Sequence, residues 1–177
     1  MKKSIAFAAA LLFAIDVARA ALPVGARAPD FQVEGALAGK DFRFSLADAL
    51  KKGPVVLYFY PKSFTSVCTE EAHLFAEATD EFAALGARVI GLSGDDIATQ
   101  RKFSNSECRD KFAVGADADL KIAKAYDASF GGVFAARISY VVAPDGRILS
   151  AISSGQAEPH VKRALETLRA WRAAQKP

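Results

Sequence analysis

The stretch Val55-Val56-Leu57-Tyr58-Phe59-Tyr60-Pro61-Lys62-Ser63-Phe64-Thr65-Ser66-Val67-Cys68-Thr69-Glu70-Glu71 decides the fold. Its first six residues are all apolar or aromatic and rich in β-branched and ring side chains, the pattern of a strand buried on both faces. A helix is predicted to follow over about Ser66 to Leu85. Ala72, Phe75, Ala76, Phe82 and Leu85 recur at helical spacing, and Gly86 is its C-terminal stop. Cys68 then falls in the first turn of that helix, just past the end of a central strand, where α/β proteins form ligand crevices. Unpaired N–H groups and the positive end of the helix dipole favour a thiolate there over a thiol.

Outward from this centre, Phe31 to Val33 and Asp41 to Phe44 alternate apolar with polar residues around Gly35 and Gly39, and predict an N-terminal hairpin. Ser45 can cap a short helix through Leu50, ended by Gly53-Pro54. Val89 to Leu92 repeats the buried-strand pattern, and Asp95 or Asp96 can cap a helix running to about Glu107. Phe112 to Val114 is a short strand and Leu120 to Tyr126 a brief helix. Ile138 to Val142 and Arg147 to Ile152 flank the turn Pro144-Asp145-Gly146. Val161, Leu165, Leu168 and Trp171 form one stripe on a closing helix. This order is that of an α/β, thioredoxin-like three-layer sandwich with a central mixed sheet and an N-terminal hairpin extension. The order alone fixes no function.

At the N-terminus, Lys2 and Lys3 precede an apolar run from Ile5 to Ile15, and Ala18-Arg19-Ala20 follows, the layout of a secretory signal peptide cleaved after about Ala20. The run is about half of the ~20 residues that span a bilayer, so no stable membrane anchor is expected. Residues 21–177 then form one domain in an oxidising compartment, the periplasm. The formal charge of +3 falls to +1 when Lys2, Lys3, Asp16 and Arg19 are removed, which leaves no basic stripe for nucleic acid. His73 and His160 are the only histidines and lack companions at ligand spacing, so neither a metal nor another cofactor is expected. Gly91-x-x-Gly94 follows a strand but lacks the rest of a phosphate-loop fingerprint. The Gly131-Gly132 pair suits a tight loop or a mobile lid near the pocket.

Pro61, Thr65 and Cys68 fit P-x-x-x-T-x-x-C, and with Tyr58-Phe59-Tyr60 before and Glu71 after they resemble the peroxiredoxin signature. Arg137-Ile138-Ser139-Tyr140 ahead of Pro144-Asp145-Gly146 is similar to the strand that carries the family's active-site arginine. The resemblance extends from about Ala28 to Trp171, and the short first helix and C-terminal ending look like the monomer-prone, bacterioferritin-comigratory (peroxiredoxin Q-like) branch of the AhpC/TSA family. It implies a thiol peroxidase for hydrogen peroxide and organic hydroperoxides, recycled by a thioredoxin-like or small-thiol donor. Cys68 would be the nucleophile, with Thr65 and Arg137 donating to the peroxide oxygens and Pro61 shielding the sulfenate. Glu71 would orient an arginine. Thr65 as a plain helix cap, Arg137 as a solvated strand-end charge, and Arg88 or Arg109 as the pocket arginine are the competing readings.

A sulfenic acid condenses with a second thiol before it is reduced. Many members of this branch carry that thiol five residues after the nucleophile, where this chain has His73. Cys108 is the only other cysteine, and the expectation is that it resolves Cys68 after local unwinding. A buried structural Cys108 with an external resolving thiol is the alternative. An exported thiol-disulfide oxidoreductase is the rival function, but Thr69, Glu70 and Glu71 follow Cys68 where such enzymes have C-x-x-C. A glutathione-peroxidase-like reading lacks its tryptophan-asparagine motif, and a non-catalytic module would not need Pro61, Thr65, Cys68 and Arg137 together.

Overall fold

The computed structural model describes residues 21–175, so the expected leader over residues 1–20 lies outside the described residues. Seven strands form one mixed sheet: β1 (Gln32–Leu37), β2 (Lys40–Ser45), β3 (Val55–Phe59), β4 (Arg88–Ser93), β5 (Ala113–Ala116), and the later Ile138–Val142 and Ile148–Ser153. A two-residue pair, β6 (Ser129–Phe130) with β7 (Phe134–Ala135), stands apart, so the last two sheet strands are β8 and β9. The sheet order is β2-β1-β5-β4-β3-β8-β9. β3 runs parallel to β4 and antiparallel to β8, and the N-terminal hairpin joins through the antiparallel pair β1 and β5.

Helices α1 (Leu46–Leu50), α2 (Ser66–Glu77), α3 (Thr79–Ala84), α4 (Ile97–Ser106), α5 (Lys121–Ala125) and α6 (Glu158–Ala174) complete the chain. None among the described residues is long and apolar enough to cross a membrane.

β3 shows why its sequence is unbroken in apolar character: Val55, Leu57 and Phe59 pack into one core, while Val56, Tyr58 and Tyr60 pack into a second on the opposite face. The first core lies under α1 and α5. The second holds Phe75 and Phe82 of the α2–α3 unit, Phe103 of α4, Leu168 of α6 and both cysteines. Each fully buried side chain of this size contributes about 1.5–3 kcal/mol, and the two cores make the three layers. Tyr58 stacks on Phe75 with ring centroids 4.5 Å apart. Gly91, opposite Tyr58 on the neighbouring strand, leaves room for that ring, since a Cβ there would lie 2.5 Å from the Tyr58 Cζ. Its role in the fold is this close approach.

Two local readings are corrected. The long helix predicted after Cys68 is two helices, broken at Ala78, where Thr79 Oγ1 donates to the Phe75 carbonyl at 3.0 Å. Such back-bonding competes with the helix ladder and bends it. The closing helix is anchored by His160, Ala164 and Leu168, with Val161, Leu165 and Trp171 at the edge of the buried stripe. Gly131 and Gly132, at φ 58° and 70°, make the expected tight loop, which turns the β6–β7 pair. The caps are as expected: Ser45 Oγ accepts from the Asp48 N–H at 3.2 Å, and Asp96 Oδ1 accepts from the Thr99 N–H at 2.7 Å.

Candidate active site

Topology alone brings the site together at the C-terminal end of β3. The chain leaves Phe59, forms a loop over residues 60–65 and starts α2 at Ser66, which makes Cys68 the third helical residue. The first helical bond runs from the Thr69 N–H to the Thr65 carbonyl at 2.9 Å, so the amides of Ser66, Val67 and Cys68 precede it at the positive end of the helix. β8 is antiparallel to β3, with Ile138 opposite Phe59. Arg137, one residue earlier, therefore arrives beside the end of β3 from the other direction.

Arg137 Nη2 donates to the Cys68 Sγ at 3.1 Å. Nη1 of the same guanidinium donates to Glu71 Oε2, one helical turn beyond Cys68. Cys68 and Glu71 are buried, and Arg137 is largely so. A contact of guanidinium to sulfur is charge-assisted and stabilises the anionic form of the sulfur. Burial pushes the Glu71 carboxyl up, to about 8, against the opposing pull of Arg137.

The other arginines are elsewhere. Arg88 begins β4 opposite Val55, at the far end of β3, and Arg109 Nη1 pairs with Glu77 at 3.1 Å.

Thr65 occupies the N-cap position of α2 with an extended backbone, but its side chain makes no cap bond. Its hydroxyl donates to the Lys62 carbonyl at 3.0 Å and is exposed. Pro61 is half-buried at the start of the loop, and Phe64 holds a left-handed φ of 65° with its ring edge-on to Phe103 at 5.2 Å. The loop is fixed by buried polar groups that sequence reasoning missed. Asp95 Oδ2 accepts from the Ser63 N–H at 2.7 Å and from the Ser93 hydroxyl at 2.8 Å. Gln100 donates to Ser93 at 2.7 Å and accepts from the Tyr60 hydroxyl at 2.6 Å. The signal in the sequence is Ser93 and Asp95, two short polar residues at the end of an apolar strand.

Cys108 lies just past α4, fully buried in the same core as Cys68, and both are free thiols. Burial, and then the charges of Glu107 and Asp110, push its thiol well up. Arg109 and Asp110 follow it with φ of 50° and 60°, two consecutive left-handed non-glycine residues, a strained exit. A hydrogen bond and an ion pair tie this turn to the helix of Cys68: His73 Nε2 with Glu107 Oε2 at 2.9 Å, and Arg109 with Glu77.

The site is thus one arginine shared between a helix-start cysteine and a buried glutamate at the C-terminal end of β3, in a mixed sheet between two helical layers. The chain belongs to the AhpC/TSA family, whose model matches residues 24–151. It is 31% identical to peroxiredoxin Bcp of Bacillus subtilis over 156 residues, 84% of this chain and 96% of that one. It is 32% identical to the chloroplastic peroxiredoxin Q of Oryza sativa subsp. japonica over 148 residues, 81% and 65% of the two chains. The crystal structure of peroxidoxin BcpB from Mycobacterium tuberculosis superposes with a TM-score of 0.76 at 32% identity, covering 83% of this chain and 96% of that one. The enzyme reduces hydroperoxides.

Proposed function

We propose that Cys68 is the peroxidatic nucleophile for hydrogen peroxide and organic hydroperoxides, and that Cys108 resolves it within the same chain. The observation that supports this reading best is the 3.1 Å contact from Arg137 to the Cys68 sulfur, with Glu71 fixing the other arm of the guanidinium. The Cys68 thiolate attacks one peroxide oxygen; the S–O bond forms, the O–O bond breaks, and the electron pair leaves on the departing oxygen. Arg137 donates to the oxygen that gains charge. The Thr65 hydroxyl turns from Lys62 toward the peroxide and adds a second donor. Pro61 screens the sulfenic acid from water.

The Cys108 thiol then displaces water from the Cys68 sulfenic acid and a disulfide forms. Because both sulfurs are buried and Cys108 is held as a thiol, the turn at Glu107–Asp110 and the start of α2 must unwind first. A thioredoxin-like or small-thiol donor returns the disulfide to two thiols. The chain acts as a monomer in the periplasm after cleavage following Ala20, and residues 21–177 are its single domain.

One equivalent of hydrogen peroxide, followed by mass spectrometry of non-reduced peptides, tests the reading. A Cys68–Cys108 cross-link in the wild type and a trappable sulfenic acid at Cys68 in Cys108→Ser are expected. A cross-link-free wild type with undiminished turnover in Cys108→Ser contradicts the resolving role. No modification of Cys68 in either protein contradicts the whole reading. N-terminal sequencing of the protein recovered from the periplasm is expected to begin at Ala21.

A further inference from the structure

Behind Arg137 lies a buried histidine that the peroxidase step does not use. His160, at the start of α6, is fully buried, and its Nδ1 lies 3.7 Å from Glu71 Oε1. That carboxylate oxygen is buried and has no hydrogen-bond partner. His160 Nε2 lies 3.2 Å from the Ser154 carbonyl, an acceptor only, so this nitrogen carries the ring proton. Nδ1 therefore presents a lone pair and accepts from the Ser139 hydroxyl at 2.7 Å. Burial, and to a lesser extent the Arg137 charge, push the imidazole down and keep it neutral, against the Ser154 bond. That lone pair is taken by Ser139, so His160 offers Glu71 Oε1 no N–H, and an ionised Glu71 would leave a carboxylate oxygen without a donor in a dry site.

One cation here serves two acids. Arg137 touches both Cys68 and Glu71, and a buried guanidinium compensates one anion well but not two. Of the other titratable groups, His160 of α6 lies beside Glu71 and Tyr58 of β3 feels its charge; the Tyr58 hydroxyl is buried without a partner, and burial pushes its phenol well up and keeps it neutral. Neither adds positive charge.

We propose that Glu71 stores a proton on Oε1, facing His160, while Cys68 is the anion, and surrenders that proton when Cys68 is oxidised. The inference rests on Cys68 being the peroxidatic residue. In the balanced step, thiolate, hydroperoxide and Glu71 carboxylic acid give sulfenic acid, alcohol or water, and Glu71 carboxylate. Sulfur loses two electrons, the peroxide gains them, and the leaving oxygen ends with the proton that Glu71 held. Arg137 exchanges one anionic partner for the other, so the site keeps the same net charge before and after. The elevated Glu71 carboxyl, at about 8, is consistent with a stored proton at neutral pH. His160 and Ser139 are positioning residues: bonded to each other, they leave Glu71 Oε1 without the donor that would hold it ionised.

The test counts protons. At pH 7 in weak buffer with a pH indicator, wild-type protein whose thiolate is verified by its ultraviolet absorbance receives one equivalent of hydrogen peroxide. A site with an internal proton takes up close to none from solution, whereas Glu71→Gln takes up about one per thiolate oxidised. Uptake of one proton per sulfur by the wild type, or no uptake by a folded Glu71→Gln, overturns the proposal while leaving the peroxidase assignment intact. Failure of Cys68 to oxidise at all overturns the assignment instead. Should Glu71→Gln not fold, difference infrared spectra of the wild type decide: a protonated-carboxyl band must disappear on oxidation, and its persistence overturns the proposal.

Discussion

Replacing Arg137 by glutamine removes the charge that faces Cys68 while keeping a side chain of comparable reach, and the outcome can be worked from two contacts. The bond to the Cys68 sulfur is charge-assisted and should be worth about 1.5–3 kcal/mol, or roughly 10- to 150-fold in rate. Loss of a donor to a developing oxyanion costs roughly 10²–10³ in other enzymes, so the rate constant for Cys68 oxidation is expected to fall by about 10²-fold.

The second contact sets the effect on stability. Arg137 is what restrains the upward shift of the Glu71 carboxyl, which already stands at about 8 against an ordinary 4.5. Without Arg137 it rises further. Below about pH 8 Glu71 is protonated in both folded proteins, so the stability gap through this group is small, and it opens as pH rises through about 8. Competition kinetics against a reference peroxidase, with urea unfolding at pH 6 and pH 9, measures both quantities. An oxidation rate within threefold of wild type, or a stability gap through Glu71 that closes as pH rises, would refute the reasoning.

Three further outcomes follow from the structure. Since the folded Glu71 carboxyl is raised by burial above its unfolded value of 4.5, it favours the folded state below pH 4.5, and that advantage is lost toward pH 8; the wild type should lose up to ~1.4 kcal/mol per pH unit in this window, and Glu71→Gln should lack that slope in urea titrations at several pH values. Gly91→Ala places a Cβ against the Tyr58 ring, 2.5 Å from its Cζ, and should destabilise by about 1–3 kcal/mol in urea unfolding; an unchanged midpoint would show that the ring moves aside freely. His73→Ala cuts the 2.9 Å tie to Glu107 beside Cys108, and, at about 0.5–1 kcal/mol for a partly exposed pair, should speed Cys68–Cys108 cross-linking by roughly 2- to 5-fold. Slower cross-linking in quenched time courses would count against the turn as the element that opens.

The residues that were legible in the sequence are those whose environment is set by their near neighbours along the chain. Six consecutive apolar residues at Val55–Tyr60, rich in β-branched and ring side chains, match a buried strand, and the helical spacing that begins beyond them places Cys68 at a helix start. Pro144-Asp145-Gly146 likewise writes its own turn, with the Gly146 N–H donating to the Ala143 carbonyl at 2.8 Å. Arg137 is legible only through the resemblance of its strand to the family's arginine strand, and the antiparallel register of β8 on β3 is the reason its place lies beside Cys68.

What stayed hidden depends on distant partners. The break at Ala78 preserves the apolar period into α3, so no pattern marks it; a single hydroxyl bond from Thr79 does. His160 read as an isolated histidine because its partners Ser139, Ser154 and Glu71 come from β8, the end of β9 and α2. Asp95 could be told from Asp96 only by the loop amide of Ser63 that it holds.

Cys68→Ser tests the central claim most directly. With hydrogen peroxide and excess dithiothreitol, peroxide consumption by the wild type should be catalytic and saturable in enzyme, and consumption by folded Cys68→Ser should equal that of the reagents alone. Undiminished consumption by Cys68→Ser would contradict the account.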